Sequence, residues 1–216
     1  MLKGLKNNLK PVQTNFRYNR KSAYTPPDPM LMNQPSKSNK LHYGVFDLET
    51  QLSAADVGGW HRAELMKISC AVLYDSKADR YIDFVENQIH LFIERLQRFD
   101  LVIGFNIKRF DYQVLKGYTD FDFMKLNNLD ILEEIKNYLG FRLSLDHLAS
   151  ITLGTAKTAD GLQALRWWKQ GRILEIIEYC RHDVKITRDL YRYGQNKGHL
   201  LYLNKAQKTL RIPVIW

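Results

Sequence analysis

From Leu41 onward, apolar and polar residues alternate in runs that predict short strands followed by helices. Strands are expected at 42–49 (HYGVFDLE), 66–74 (MKISCAVLY) and 80–86 (RYIDFVE). Residues 89–99 repeat apolar positions at helical spacing, and 100–106 (DLVIGFN) is a short apolar run suited to a buried strand. Helices are expected at 107–118, 129–140, 144–154, 159–171 and 172–194. The final stretch, HLLYLNKAQKTLRIPVIW, reads as a β-hairpin. In it Leu210, Ile212, Val214 and Trp216 alternate onto one face, and Pro213 favours an edge position. Strands, a helix, another strand and then mostly helices predict an α/β layering in which helices flank a mixed sheet. The pattern leaves the strand order open.

Residues 1–40 have a different character. They are rich in Asn, Pro, Ser and Lys and lack a sustained period, so a flexible or extended arm is expected there, with a domain at 41–216. The arm holds eight Lys/Arg against the single acid Asp28, most of the chain's net charge of +9. Such an arm suits a polyanion, and equally suits a solvated tail. No run approaches the roughly 18 apolar residues of a membrane span, and the N-terminal apolar stretches are too short for a signal peptide. Cys70 and Cys180 are far apart and suggest no disulfide framework. A reducing cytoplasm and no membrane partner are the expectation.

Acids interrupt this pattern at three places. Asp47 and Glu49, in GVFDLET, stand two apart on a strand that should be buried, so both carboxylates point the same way, roughly 7 Å apart. Such a pair loses hydration and repels itself unless a cation compensates. Asp111 follows the strand LVIGFN, in the first turns of a helix expected to begin near Asn106. Strand ends of this kind gather ligand sites in α/β sheets. Tyr179 and Asp183, in YCRHD, are four apart on the long C-terminal helix and so share a face, while Arg181 and His182 turn elsewhere. Taken singly, each has a plain structural explanation: a strand end, a first-turn acid, a packed tyrosine.

Together and in this order, FDLET, GFNIKRFDYQVL and YCRHDVKITRDLY resemble the three motifs of the DEDD superfamily of 3′–5′ exonucleases, on the ribonuclease H-like fold, over residues 42–195. Position 179 is Tyr and the residue five before Asp183 is Glu178, which resembles the Tyr-type (DEDDy) branch. The stretch from YCRHD to the C-terminus also resembles predicted ribonuclease H-like exonucleases found alone or near helicases. The resemblance implies a two-metal hydrolysis of phosphodiesters by Mg²⁺ or Mn²⁺ on an all-oxygen ligand set, and the sequence has no Cys/His spacing for zinc. It implies that Asp47 bridges the two ions, that Glu49 and Asp183 complete the nucleophile-side ion, and that Asp111 serves the leaving-group side. Tyr179 is implied to orient water, since a phenol of ordinary pKa near 10 is a poor base at neutral pH.

The resemblance implies that the backbone around Leu48 and Thr50 lies near the terminal nucleotide. Asn106 and Phe110 border the second motif and could touch the strand, although Phe110 suits the core better. Single-stranded DNA or RNA is the implied partner, with a helicase or polymerase as a further one. Trp167 and Trp168 could stack on bases but suit packing better, and Lys157, Arg166 and Lys169 could track phosphates or form a solvated face. His147 reads as a surface or core histidine. A binding-only module and a structure-specific endonuclease on the same fold are the competing readings.

Overall fold

The computed structural model describes residues 41–155 and 161–216; the arm of residues 1–40 and Lys157 lie outside them. Five strands form one sheet: β1 (Tyr43–Thr50), β2 (Ile68–Asp75), β3 (Arg80–Val85), β4 (Leu101–Gly104) and β5 (Asn128–Asp130), in the order β3-β2-β1-β4-β5. β2 runs antiparallel to both β1 and β3, and β4 and β5 run parallel to β1. The helices are α1 (Ala54–Val57), α2 (Ile89–Leu96), α3 (Asp111–Leu115), α4 (Ile131–Leu139), α5 (Leu145–Leu153), α6 (Gly161–Lys169) and α7 (Ile173–Lys197). A separate hairpin, β6 (His199–Leu203) and β7 (Thr209–Pro213), follows. The expected mixed sheet, flanking helices and terminal hairpin are all present.

Each face of the sheet carries its own core. On β1, Tyr43 and Val45 pack with Ile176, Cys180 and Val184 of α7, whereas Phe46 and Leu48 pack with Phe92 and Leu96 of α2 and with Tyr112. The two-residue alternation of the strand therefore sends Asp47 and Glu49 toward the α7 face. α7 earns its 25 residues through an apolar stripe, Ile176, Cys180, Val184, Thr187, Tyr191 and Gly194, at steps of three and four. At its far end Gly194 leaves room for Trp216, whose indole Nε1 donates to the Tyr191 carbonyl at 3.1 Å.

Two expectations are corrected. The helix expected over 107–118 is confined to Asp111–Leu115, because the chain turns left-handed at Asn106, φ 70°, and residues 107–110 continue as turns. The carboxylate of Asp130 fixes that turn, accepting from the amides of Asn106 at 2.8 Å and Lys108 at 3.0 Å. The helix expected over 129–140 begins at Ile131 instead, since Asn128–Asp130 form β5 and Asp130 caps α4 by accepting from Leu132 and Glu133. One side chain thus binds the end of β4 to the start of α4.

The hairpin has a structural task. His147 of α5 accepts from the Leu203 amide at 3.1 Å, and Thr152 bonds both the amide and the carbonyl of Leu201. Of the four alternating residues, Ile212 is buried, Val214 and Trp216 are half-buried, and Leu210 is exposed, with Pro213 closing β7. Both cysteines are buried and free. Among the described residues, no helix is long and apolar enough to cross a membrane.

Gly104, the last residue of β4, has no room for a side chain: a Cβ there would lie 2.1 Å from Ile107 Cγ2 and 3.2 Å from the Phe46 carbonyl oxygen. Gly104→Ala should cost about 1–3 kcal/mol, through displacement of Ile107. Urea unfolding checks this, and an unchanged midpoint would show that the turn after β4 is loosely packed.

Candidate active site

Four carboxylates reach one cavity from three elements. Asp47 and Glu49 come from β1, where a register shift after Glu49 sets Thr50 opposite Ile68 and leaves Ser69 as the extra residue. Such a bulge bends a strand locally and re-aims its side chains. Asp183 comes from α7, one turn after Tyr179. Carboxylate oxygens of Asp47, Glu49 and Asp183 lie within 4.8 Å of one another. Asp111, the first residue of α3, is only 2% exposed and lines the same cavity of about 670 Å³. The Leu48 amide points at Asp111, but its Oδ1 atom is buried and has no hydrogen-bond partner.

Withdrawal from water governs how these groups titrate. Burial, then repulsion from Asp111, Glu49 and Asp183, pushes Asp47 well above the usual carboxylate range. Glu49 is raised by burial and by its neighbours Cys70, Asp183 and Asp111. Burial lifts Asp111 to about 8, with Asp130 adding to it, and lifts Asp183 to about 7. The Cys180 thiol donates toward the Asp47 carbonyl at 3.3 Å and its carboxylate at 3.5 Å, a weak compensation. Burial, followed by the charges of Asp183, Glu49 and Asp47, also raises the Tyr179 phenol.

The donor set fits a hard divalent cation. All four groups offer oxygen, an oxygen of Asp111 is orphaned, and the described residues lining the cavity include no Lys, Arg or His. A cation there would offset a repulsion that, among the described residues, only the neutral donors Cys180 and Tyr179 relieve.

The other expected residues separate clearly. Leu48, Thr50, Asn106 and Phe110 all line the cavity. The Thr50 hydroxyl is committed to the Leu52 carbonyl at 2.9 Å, and the Asn106 side-chain oxygen accepts from Arg142 at 2.6 Å. Phe110 both lines the cavity and packs against the α2-side core. Trp167 and Trp168 are half-buried against the α7-side core, and Trp167 meets Tyr179 edge-to-face at 6.4 Å, so packing describes them. Arg166 and Lys169 are exposed on α6 and do not line the cavity. Arg181 turns away to Asp83 at 2.5 Å. Sequence reasoning missed Trp60, Leu162 and Leu165 in the cavity wall. Only the Gly58-Gly59-Trp60 sequence offered a signal, a turn that throws an aromatic outward.

A sequence model of the RNase H superfamily matches residues 45–195, and the chain belongs to that superfamily. A comparison with curated proteins returned no match. Among solved structures, the chain is similar to the family B DNA polymerase from the hyperthermophilic archaeon Pyrobaculum calidifontis, with a TM-score of 0.54 and 16% sequence identity. The likeness covers 72% of this chain and 24% of the polymerase, and concerns the fold.

The raised carboxylates make a pH prediction. Their folded-state pKa values exceed the unfolded ones, so the stability they allow is full below about pH 4 and is lost as pH rises through about 7 and 8. Other groups superimpose their own pH dependence, so the signal is a difference. Metal-free Asp111→Asn should gain melting temperature relative to the parent as pH rises from 5 to 8.5, and Mg²⁺ or Mn²⁺ should raise the parent more than the variant at the upper end. A pH-independent difference between the two, measured by calorimetry in EDTA, would show the acids to be relaxed.

Proposed function

We propose that this member of the RNase H superfamily is a metal-dependent 3′–5′ exonuclease of the Tyr-type, hydrolysing phosphodiester bonds at single-stranded nucleic-acid ends and releasing nucleoside 5′-monophosphates. The observation that carries the proposal is the convergence of Asp47, Glu49, Asp111 and Asp183 on one cavity, with Tyr179 beside Asp183. Asp47, Glu49 and Asp183 would hold one Mg²⁺ or Mn²⁺, and Asp47 with Asp111 a second. Bound there, such ions activate water at neutral pH and neutralise charge growing on a scissile phosphate.

The chain's own groups supply orientation. With its pKa raised, the Tyr179 hydroxyl stays protonated at neutral pH and can hold a water by hydrogen bonds without serving as a base. The walls at Leu48, Thr50, Asn106 and Phe110 would seat the terminal nucleotide. Residues 41–216 would form the catalytic domain and 1–40 a basic arm that adds phosphate contacts. A polymerase in another chain suits such a domain as a partner.

A binding-only module is disfavoured by the same acids, because four negative charges repel the backbone such a groove would have to hold. A gel time course decides among these readings, with 5′-labelled single-stranded DNA and RNA in Mg²⁺, Mn²⁺ or EDTA. A metal-dependent ladder that shortens from the 3′ end, absent in Asp47→Ala/Glu49→Ala, is expected. Internal cuts would favour an endonuclease, and intact strands under every condition would sink the nuclease reading. Tyr179→Phe should slow the wild-type rate by roughly tenfold to a thousandfold, in the range of one lost orienting or proton-handling group. Full activity in that variant would remove Tyr179 from the mechanism.

A further inference from the structure

Beside the acidic cavity lies a second one of about 770 Å³, lined by Trp60, His61, Asn106, Arg109, Phe110 and Arg142. Its charge is opposite: two guanidiniums and no carboxylate among the described residues that line it. Trp60, Asn106 and Phe110 line both cavities and form the saddle between them.

Trp60 is a costly residue to leave where it is. It is 72% exposed, although a tryptophan offers about 150–250 Å² of surface for burial. Its exposure is built into the backbone. Gly58 ends α1 left-handed at φ 88°, and Gly59 takes φ 131°, ψ 165°, a conformation open essentially only to glycine. The amides of Gly58 and Gly59 return to the carbonyls of Ala55 and Ala54, so the turn is closed, and the next residue is Trp60. The indole meets Phe110 at 5.8 Å between ring centres, nearly perpendicular at 71°, which holds it upright with much of its surface in solvent.

The two arginines carry charges that no acid among the described residues pairs with. Arg181, Arg188 and Arg192 are paired with acids or seated over tyrosines. Arg109 and Arg142 form no ion pair among the described residues, and Arg142 is aimed by its bond to Asn106 on the saddle.

We propose that Trp60, Arg109 and Arg142 form a second nucleotide subsite, where the base next to the terminal nucleotide stacks on the Trp60 indole and the adjoining backbone phosphates meet the two guanidiniums. The proposal rests on the nuclease reading above for the direction of the strand. The chemistry is that of an unpaired, sequence-independent strand: every base has a π-face, and a base inside a duplex already has both faces covered. The subsite would demand at least two unpaired nucleotides at the end, and supply the cations that the acidic cavity lacks.

Binding is measured in the full-length chain carrying Asp47→Ala to prevent turnover, by fluorescence anisotropy with a labelled single-stranded oligodeoxynucleotide. Adding Trp60→Ala should raise Kd about tenfold without changing the salt slope, and Trp60→Phe should recover most of the affinity. Arg109→Ala or Arg142→Ala should each flatten the slope of log K against log salt by about 0.7. A strand lacking the base at the second position from its 3′ end should erase the difference between parent and Trp60→Ala. The subsite is overturned if the parent does not bind the strand, if Trp60→Ala binds as tightly as the parent, or if the missing base makes no difference. Because the readout is binding, a wild-type chain that cleaves nothing yet shows the Trp60 effect refutes the nuclease reading and leaves the subsite standing.

Discussion

Like charges held close together in a medium poorer than water repel strongly, and this chain places four carboxylates around one cavity. Much of the architecture on that side holds the acids there against their own repulsion. β1 is held between β2 and β4 over Tyr43–Val45, and its pairing with β2 continues through Asp47 and Glu49, which keeps both acids on a sheet strand. α7 is pinned along its length by its apolar stripe and by the Arg181–Asp83 ion pair, which fixes Asp183. Asp130 ties the turn after β4 to α4, and that turn sets where α3 begins and hence where Asp111 lies. Without cations, burial and mutual repulsion push these carboxyls upward and favour their protonated forms. On the metal-dependent reading proposed above, this is stability given up in the metal-free chain, a cost that a preorganised site recovers on binding.

An acidic cavity is a poor place for a polyanion to arrive. The arrangement around the saddle answers that difficulty by separating the signs. The four carboxylates line the cavity on one side of Trp60 and Phe110, Arg109 and Arg142 line the one on the other, and Arg142 also borders Asp47 and Asp183 in a smaller cavity. A phosphate entering near Arg109 and Arg142 would be attracted before it reached the acids, and the acids would then act on it only through the cations they bind. Aromatic rings between the two regions add attraction that does not depend on charge, which makes the path less sensitive to salt than a purely basic groove.

Much of this was legible in the sequence because it depended on local rules. A strand with acids at i and i+2 in an apolar run fixes a shared face, and a Tyr and Asp four apart on a helix fix another. The expected mixed sheet and hairpin followed from period and order. The errors arose where a distant side chain overrode the local signal. Asn128–Asp130 has no room for alternation, so β5 merged with the helical pattern of α4. Asn106 looked helical because nothing nearby announces that Asp130, 24 residues later, captures its amide. Trp60 was passed over because its importance lies in a contact with Phe110, fifty residues downstream, and only the two glycines before it hinted at a projecting turn.

The neighbours of Asp183 bear on how protons are handled. His182 is adjacent in sequence, and its Nε2 atom is buried without a partner among the described residues. The helix turns it away from the face that Tyr179 and Asp183 share. Tyr179, on the shared face, keeps its proton because burial and three carboxylates oppose the phenolate. Side chains able to accept a proton in this cavity are therefore the carboxylates themselves, and their ability to accept depends on whether cations have claimed them. Cation binding and proton release become one equilibrium at these acids. On the metal-dependent reading proposed above, the pH at which the site becomes competent would follow from the cation concentration as much as from any single residue, and the acid limb of activity should move to lower pH as Mg²⁺ or Mn²⁺ is raised.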